Sequence, residues 1–270
     1  MQDLSGRVAV ITGGASGIGL ATARRLAQEG MRLVLADIQK DALDQAVQEI
    51  RALGAEVLGV QTDVGDLEQV KALADQTFAH FGAAHLVFNN AGVAVFGPIQ
   101  DMRHEDWEWV LRIDLWGVIH GVEAFVPRLI AQGQGGHIVN TASFAGLVPN
   151  QGLGVYCVAK YGVVGLSECL ARDVSQHGIG VSVLCPMVVE TNIFSNSMRD
   201  RPRGPGDTAI PRQQVSGGQE NLRGRTLPVS EVAEKVVQAV KKGELYIVTH
   251  EEARSFVRRR FERIDRAFES

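Results

Sequence analysis

Three side chains in the second half of the chain have the types and spacing to move a proton to or from an alcohol oxygen. Tyr156 and Lys160 stand four residues apart in the segment YCVAK, and Ser143 lies thirteen residues before Tyr156. On a helix, the four-residue spacing places the phenol and the ammonium on one face, one turn apart. A phenol has an ordinary pKa of about 10, which a nearby ammonium lowers because it favours the phenolate. With the Ser143 hydroxyl on the same substrate oxygen, the set predicts acid–base chemistry at an alcohol or a carbonyl.

The elements around this set have to position it, since the same Tyr–Lys spacing also occurs on helix surfaces without catalytic function. Short apolar segments predict strands at 8–12, 32–37, 56–63, 85–90, 136–143, 181–186 and 245–249. Amphipathic segments predict helices at 18–29, 41–53, 66–80, 105–131, 155–176 and 230–242, the last with Ser230 as its N-cap. Apolar strands that alternate with helices indicate a single-domain, Rossmann-like, doubly wound parallel sheet of about seven strands with helices on both faces.

Composition excludes several classes of function. The net charge of −4 provides no basic field for nucleic acid. The N-terminal segment MQDLSGRVAV lacks the pattern of a secretion signal, and no run of about 18 apolar residues predicts a membrane span. Cys157, Cys169 and Cys185 include no close pair, so we expect free thiols in a reducing cytoplasm and neither a disulfide nor a metal site.

A glycine-rich turn between the first strand and the first helix predicts a dinucleotide site. The segment TGGASGIG, residues 12–19, contains Gly13, Gly17 and Gly19, which permit a tight turn and a close approach of backbone to ligand. The free N–H groups and the positive dipole end of the helix N-terminus can then bind a pyrophosphate.

Two carboxylates follow the next strands and bear on which dinucleotide binds. Asp37 at the end of the second strand can accept both ribose hydroxyls and would repel a 2′-phosphate. Ser16 and Ile38 supply no cation for such a phosphate, and we assign Lys40 to the next helix, so NAD is favoured over NADP. Asp63, at the end of the third strand, is interpreted either as an adenine contact beside Val64 or as a helix N-cap.

With NNAG at 89–92, these motifs stand in an order that resembles the short-chain dehydrogenase/reductase family from about residue 5 to residue 250. The resemblance implies that Tyr156 is the catalytic acid/base, that Lys160 lowers its pKa and binds the nicotinamide ribose, and that Ser143 orients the substrate oxygen. The segment CPMVVET resembles the family's Pro-Gly-x-x-x-Thr and carries Met187 where glycine is usual. The predicted cofactor-binding residues are Gly13, Ser16, Gly17, Ile18, Gly19, Asp37, Asp63, Val64, Asn90, Ala91, Gly92, Tyr156, Lys160, Val189 and Thr191.

Asp114 is the main departure from the family pattern. The segment RIDLWGVIHG resembles the family's Asn-Leu-x-Gly segment, whose Asn helps to hold a water that links the Lys to solvent. Asp114 can substitute if the backbone carbonyl does this work, but an ionised Asp cannot replace an amide donor. Its negative charge also raises the pKa of Tyr156 and partly opposes Lys160. Our hypothesis is that Asp114 keeps the relay position as a fourth catalytic residue and that activity survives.

Two segments lie outside the regular alternation. Residues 195–228 are rich in Gly, Pro, Arg, Gln and Ser, which is typical of a substrate lid or of a disordered loop within the 1–250 dinucleotide-binding and catalytic domain. Residues 251–270 form a helical tail that we expect to dock on the body or on a second subunit. Its apolar side would consist of Phe256, Phe261, Ile264 and Phe268.

The sequence therefore predicts an NAD(H)-dependent cytoplasmic enzyme that interconverts a secondary alcohol and a ketone. A C=C reductase on the same cofactor and a non-enzymatic NAD-sensing protein are the alternatives. The resemblance implies a homodimer or homotetramer formed through 105–131 and 155–176. A hydrophobic substrate, such as a cyclic or steroid-like alcohol, is expected from predicted pocket residues Val93, Phe96, Phe144, Leu147, Leu153, Met187, Val188 and Phe194.

Overall fold

Seven strands form one sheet in which every neighbouring pair is parallel, as seen in a computed structural model that describes residues 1–202 and 225–269. The strands are β1 (Val8–Thr12), β2 (Arg32–Asp37), β3 (Val57–Gln61), β4 (Leu86–Asn89), β5 (Gly136–Thr141), β6 (Ile179–Cys185) and β7 (Tyr246–Val248). Their order across the sheet is β3-β2-β1-β4-β5-β6-β7. The direction of winding reverses between β1 and β4, which confirms the predicted doubly wound fold and opens a crevice at that point.

Helices cover both faces of the sheet. They are α1 (Gly17–Gln28), α2 (Lys40–Ala52), α3 (Leu67–Phe81), α4 (His104–Leu111), α5 (Gly117–Gln132), α6 (Gly154–Val174), α7 (Ile193–Asp200), α8 (Val229–Lys242) and α9 (Ala253–Asp265). Within the described ranges, no helix combines the length and the apolar character needed to cross a membrane.

The strand residues alternate between two hydrophobic cores, as the two-residue period of a strand requires. In β1, Ala9 and Ile11 join the core that α1, α2 and α8 cover. Val8 and Val10 point to the other face and join the core beneath α3, α5 and α6. All five residues of β1 are buried, which explains why an unbroken apolar segment marks this central strand.

The predicted helix 105–131 is interrupted. Between α4 and α5 the chain makes a π-helical segment, Arg112–Trp116, which widens the helix by an extra residue. Asp114 lies in this segment and is completely buried. A π-segment changes the direction of the side chains that follow it, so a simple 3.6-residue period could not place Asp114.

Two details of the predicted elements are wrong. Residues 193–200 form α7, although the segment 195–228 shows no clear periodicity; an eight-residue helix is too short to be recognised from its period. Helix α8 starts at Val229 after Pro228, whose fixed φ of −66° suits the N-cap position, so Ser230 lies inside the first turn. Residues 203–224 of the predicted lid lie outside the described residues.

The tail forms α9 and packs against the body through its first half. Phe256 makes an edge-on contact with Phe144, with ring centroids 5.8 Å apart. The guanidinium of Arg260 lies 5.2 Å from the centre of the Tyr161 ring. Phe261 and Phe268, in contrast, are 57% and 86% exposed. The tail thus contacts the residues that follow Ser143 and Lys160, and of its predicted apolar side Phe256 alone is covered.

Candidate active site

The glycine turn forms a cradle in which three positions require glycine. Gly13 and Gly17 have φ values of 62° and 52°, which glycine adopts without strain. A Cβ on Gly19 would lie 2.2 Å from the carbonyl oxygen of Gly13. Ser16, the N-cap of α1, lines the cavity and makes no side-chain capping bond to the first-turn N–H groups. These features fit the pyrophosphate of a dinucleotide.

Substitution of Gly19 by Ala tests this cradle. The added methyl group would collide with the Gly13 carbonyl and spread the turn, so we expect Gly19→Ala to weaken NAD binding by at least about tenfold, or about 1.4 kcal/mol. Gly165→Ala is the matched control, because a Cβ at that exposed position of α6 meets no atom within 4 Å. Isothermal titration with NAD measures both variants, and equal affinities would contradict the assignment.

The carboxylate of Asp37 lies at the carboxyl end of β2, beside the glycine turn. Its Oδ2 accepts from the Ala15 N–H at 3.1 Å and its Oδ1 accepts from the Gln39 N–H at 3.0 Å. The ammonium of Lys40, the first residue of α2, pairs with Asp44. The lysine is therefore engaged in its own helix, and Asp37 lines the cavity.

Asp63 and Val64 also line the cavity, on the side where β3 ends. Asp63 accepts from the Gly65 N–H and from Nη1 of Arg112, both at 2.8 Å. The alternative interpretation of Asp63 as a helix N-cap is wrong. Asp66 caps α3 instead, by accepting from the N–H groups of the second and third residues of that helix.

The NNAG segment ties together the ends of three strands. Asn90 donates through Nδ2 to the carbonyl oxygen of Thr12 at 3.1 Å, and its Oδ1 accepts from the Thr141 hydroxyl at 3.3 Å. Asn90, Ala91 and Gly92 line the cavity. Gly92 faces Asp114 and Lys160, since a Cβ at Gly92 would lie 3.5 Å from both side chains.

Ser143, Tyr156 and Lys160 converge on the same cavity from two elements. Ser143 follows β5 and is held by the Ala145 N–H, which donates to its Oγ at 3.1 Å, while Tyr156 and Lys160 project from α6. Lys160 Nζ lies 5.4 Å from the centre of the Tyr156 ring and donates to the Thr141 carbonyl oxygen at 3.0 Å. The four-residue spacing on α6 therefore places the phenol and the ammonium together.

The cavity has a volume of about 810 Å³ and contains every predicted cofactor residue except Gly19, which packs beneath the turn. Val189 and Thr191 line it after β6, together with Met187. Of the predicted apolar set, Leu147 is the exception. It packs against the core behind the cavity, because the short 3₁₀ turn after Ser143 directs it there.

Comparison with known proteins assigns the family. A family model described as short chain dehydrogenase matches residues 7–202. A C alpha-dehydrogenase from Sphingobium sp. strain SYK-6 is 35% identical over 266 residues, which cover 98% of this chain and 87% of the relative. The chain belongs to the short-chain dehydrogenase/reductase family.

Solved structures agree with this assignment. A short-chain dehydrogenase/reductase from Burkholderia phymatum, determined in complex with NAD, shares 41% sequence identity and has a TM-score of 0.91, with 98% of this chain and 96% of that chain covered.

A second sequence relative is also a dehydrogenase. A 1-deoxy-11-beta-hydroxypentalenate dehydrogenase from Streptomyces exfoliatus is 37% identical over 218 residues, which are 80% of this chain and 79% of the relative. This chain is accordingly an oxidoreductase of that family.

Within this dehydrogenase/reductase, Asp114 forms a buried ion pair with Lys160. Its Oδ2 lies 3.0 Å from Lys160 Nζ, and its Oδ1 accepts from the Val93 N–H at 2.7 Å. Burial lowers the pKa of Lys160, but the Asp114 carboxylate and the Tyr156 phenol outweigh it, so that the pKa is raised and the ammonium is retained.

The pKa of Tyr156 is set by opposing contributions, of which Lys160 is one. Burial raises this pKa, Asp114 raises it further, and Lys160 and the Ser143 hydroxyl act in the opposite direction. The predicted lowering by Lys160 is present, but the net pKa is raised, because the phenol lies deep in the cavity where desolvation disfavours the phenolate. Lys160 limits this rise rather than reversing it.

Sequence reasoning missed part of the cavity wall. The Phe96 and Phe194 rings were predicted to border the pocket. Their stacking on each other, with ring centroids 4.7 Å apart, was not predicted. Four amide side chains on the substrate side were not predicted at all; they are Asn150, Gln151, Asn192 and Asn196. No local pattern marks these residues, since each belongs to a loop or to the short helix α7.

Proposed function

We propose that the chain is an NAD(H)-dependent enzyme that interconverts a secondary alcohol and a ketone. The observation that carries the proposal is the convergence of Ser143, Tyr156 and Lys160 on one cavity with the glycine turn. In the direction of oxidation, the Tyr156 phenolate accepts the hydroxyl proton while the Ser143 hydroxyl orients the substrate oxygen. Lys160 stabilises the phenolate, and Asp114 holds the ammonium in place.

The residues around the crevice fit NAD as the cofactor. The first turn of α1 would bind the pyrophosphate, Asp37 the adenosine ribose, Asp63 and Val64 the adenine, and Val189 and Thr191 the nicotinamide end. When bound, NAD supplies the acceptor for the hydride that leaves the carbinol carbon. The NAD complex of the Burkholderia phymatum relative supports this choice.

A charge-neutral substitution tests the choice of NAD over NADP. Asp37→Asn keeps an oxygen for the Ala15 N–H but removes the negative charge that repels a 2′-phosphate. We expect the ratio of kcat/KM with NADP⁺ to that with NAD⁺ to rise by at least about tenfold, or about 1.4 kcal/mol. Asp44→Asn is the control, since Asp44 pairs with Lys40 on the exposed side of α2. An unchanged ratio in Asp37→Asn would reject this role.

The walls of the cavity support a hydrophobic, uncharged substrate. Phe96, Phe194, Met187 and Val188 supply apolar surface. In the described part of the lining, the ammonium of Lys160 is the one cation and is neutralised by Asp114, so an anionic substrate group finds no partner there. Bulky cyclic or aromatic secondary alcohols fit these walls.

Isotope transfer distinguishes this reaction from reduction of a C=C bond. An apolar secondary alcohol carrying deuterium on its carbinol carbon is incubated with the enzyme and NAD⁺, and the reduced cofactor is examined by mass spectrometry. The proposal predicts one deuterium per reduced cofactor and formation of the ketone. Reduced cofactor without the label would reject direct hydride transfer from the alcohol carbon.

A further inference from the structure

A buried charge cluster next to the cavity has no part in the proposed proton transfer. Asp106, in the first turn of α4, is completely buried and lies between two arginines. Arg201, directly after α7, donates from Nε to Oδ1 at 2.7 Å and from Nη2 to Oδ2 at 2.6 Å. Arg103 donates to the same carboxylate from its backbone N–H and from Nη2, each at 3.2 Å.

This cluster joins two segments that are far apart in the sequence. In addition to its bonds with Asp106, Arg103 binds the chain after α7 directly: its Nη2 donates to the carbonyl oxygen of Pro202 at 2.7 Å. Bidentate Arg–carboxylate pairs are among the stronger hydrogen-bonded contacts, and their two parallel bonds fix the orientation of the guanidinium relative to the carboxylate. Burial raises the pKa of Asp106, but the two guanidinium groups outweigh it and hold the pKa below its usual value.

The segment that this cluster holds is α7, which forms the substrate side of the cavity. Phe194 stacks on Phe96, and Ser197 Oγ accepts from the Ala94 N–H at 2.9 Å. Ile193, Phe194 and Asn196 line the cavity. A helix of eight residues is not stable by itself in water, so its position depends on such tethers. The Asp106 cluster secures its C-terminal end.

We propose that Asp106 and Arg201 form a clasp that fixes α7 as the substrate-side wall and thereby act as positioning residues for substrate binding. Neither side chain lines the cavity, so the effect is transmitted through α7. The role in substrate binding rests on the proposed function, whereas the tether of α7 does not.

Arg201→Met removes both donors of the clasp while retaining an apolar stem. Since the wall contacts the substrate in the ground state and in the transition state alike, we expect KM for an apolar alcohol to rise about tenfold with kcat changed less than about twofold. Arg201→Lys keeps the charge but not the paired geometry, so its KM should lie between those of the wild type and Arg201→Met. The matched control is Arg24→Met, which breaks another two-donor pair, between Arg24 of α1 and Glu49 of α2.

Hydrogen–deuterium exchange gives a readout that needs no activity. We expect the amides of 193–200 to exchange at least about tenfold faster in Arg201→Met than in the wild type or in Arg24→Met. Unchanged exchange, or faster exchange with an unchanged KM, would overturn the proposal. Faster exchange in a protein whose wild type oxidises no alcohol would retain the tether but overturn its role in substrate binding together with the proposed function.

Discussion

Tyr156→Phe is expected to lower kcat for alcohol oxidation by about 10²–10⁴-fold, because the variant lacks the group that accepts the hydroxyl proton. Ser143 and Lys160 remain in place, so the substrate oxygen is still oriented, but its proton has no acceptor at that position. The neighbouring variant Tyr161→Phe is the control. It removes a phenol from the same helix, and Tyr161 lies outside the cavity lining.

NAD affinity separates a chemical effect from a general loss of structure. The phenol supplies at most one hydrogen bond to the cofactor, so the Kd for NAD should change by less than about tenfold in Tyr156→Phe. Turnover within twofold of the wild type would show that another group transfers the proton and would remove Tyr156 from the mechanism.

Asp114→Asn is expected to move the acid limb of the pH–rate profile to lower pH. Oxidation needs the phenolate, so the rate rises with pH through the pKa of Tyr156. The Asp114 carboxylate raises this pKa, and its removal should lower it while Asn still accepts from the Val93 N–H. On the plateau at high pH, we expect the oxidation rates of the variant and the wild type to agree within about tenfold.

Two outcomes would contradict this account of Asp114. An acid limb that moves to higher pH would mean that Lys160 loses its proton without the carboxylate, since Asp114 raises the pKa of the lysine. A plateau that rises by orders of magnitude would show that the carboxylate is a handicap rather than a substitute for the family's Asn. Asp75→Asn, in an exposed ion pair with Arg128, controls for loss of a surface charge.

The same substitution should also reduce stability. Removal of one partner from a buried ion pair typically costs about 3–5 kcal/mol, because the remaining charge is left without compensation. Asn retains one hydrogen bond of the carboxylate, so the loss in Asp114→Asn should lie at the lower end of this range. Urea unfolding followed by circular dichroism measures this loss in the free energy of unfolding. The pH–rate profile has to be recorded under conditions in which the variant remains folded.

The sequence predicts those parts of the fold and of the site that depend on residues close together in the chain. The apolar strands alternate with helices, the glycine turn links the first strand to the first helix, and Tyr156 and Lys160 have helical spacing. The sheet and the placement of these two side chains on α6 therefore follow from pattern alone. The loop residues after β4 and β6 were assigned through their resemblance to motifs of the family, and the parallel sheet brings them to one edge of the cavity.

Features that depend on distant contacts could not be predicted. Asp114 stood out as a departure from the family, but its 3.0 Å contact with Lys160 arises because a π-segment turns it inward, and no periodicity indicates such a segment. The clasp of Asp106 and Arg201 joins residues 95 apart in sequence. The net shift in the pKa of Tyr156 depends on burial, which only the folded chain determines.

The central claim is that this cavity couples oxidation of an apolar secondary alcohol to NAD. The most direct measurement is the appearance of reduced cofactor by absorbance when the wild type is mixed with NAD⁺ or NADP⁺ and a panel of cyclic and aromatic secondary alcohols. We expect turnover with NAD⁺ for at least one apolar alcohol and much weaker turnover with NADP⁺. Tight NAD binding without turnover of any alcohol would contradict the claim and favour an NAD-sensing protein.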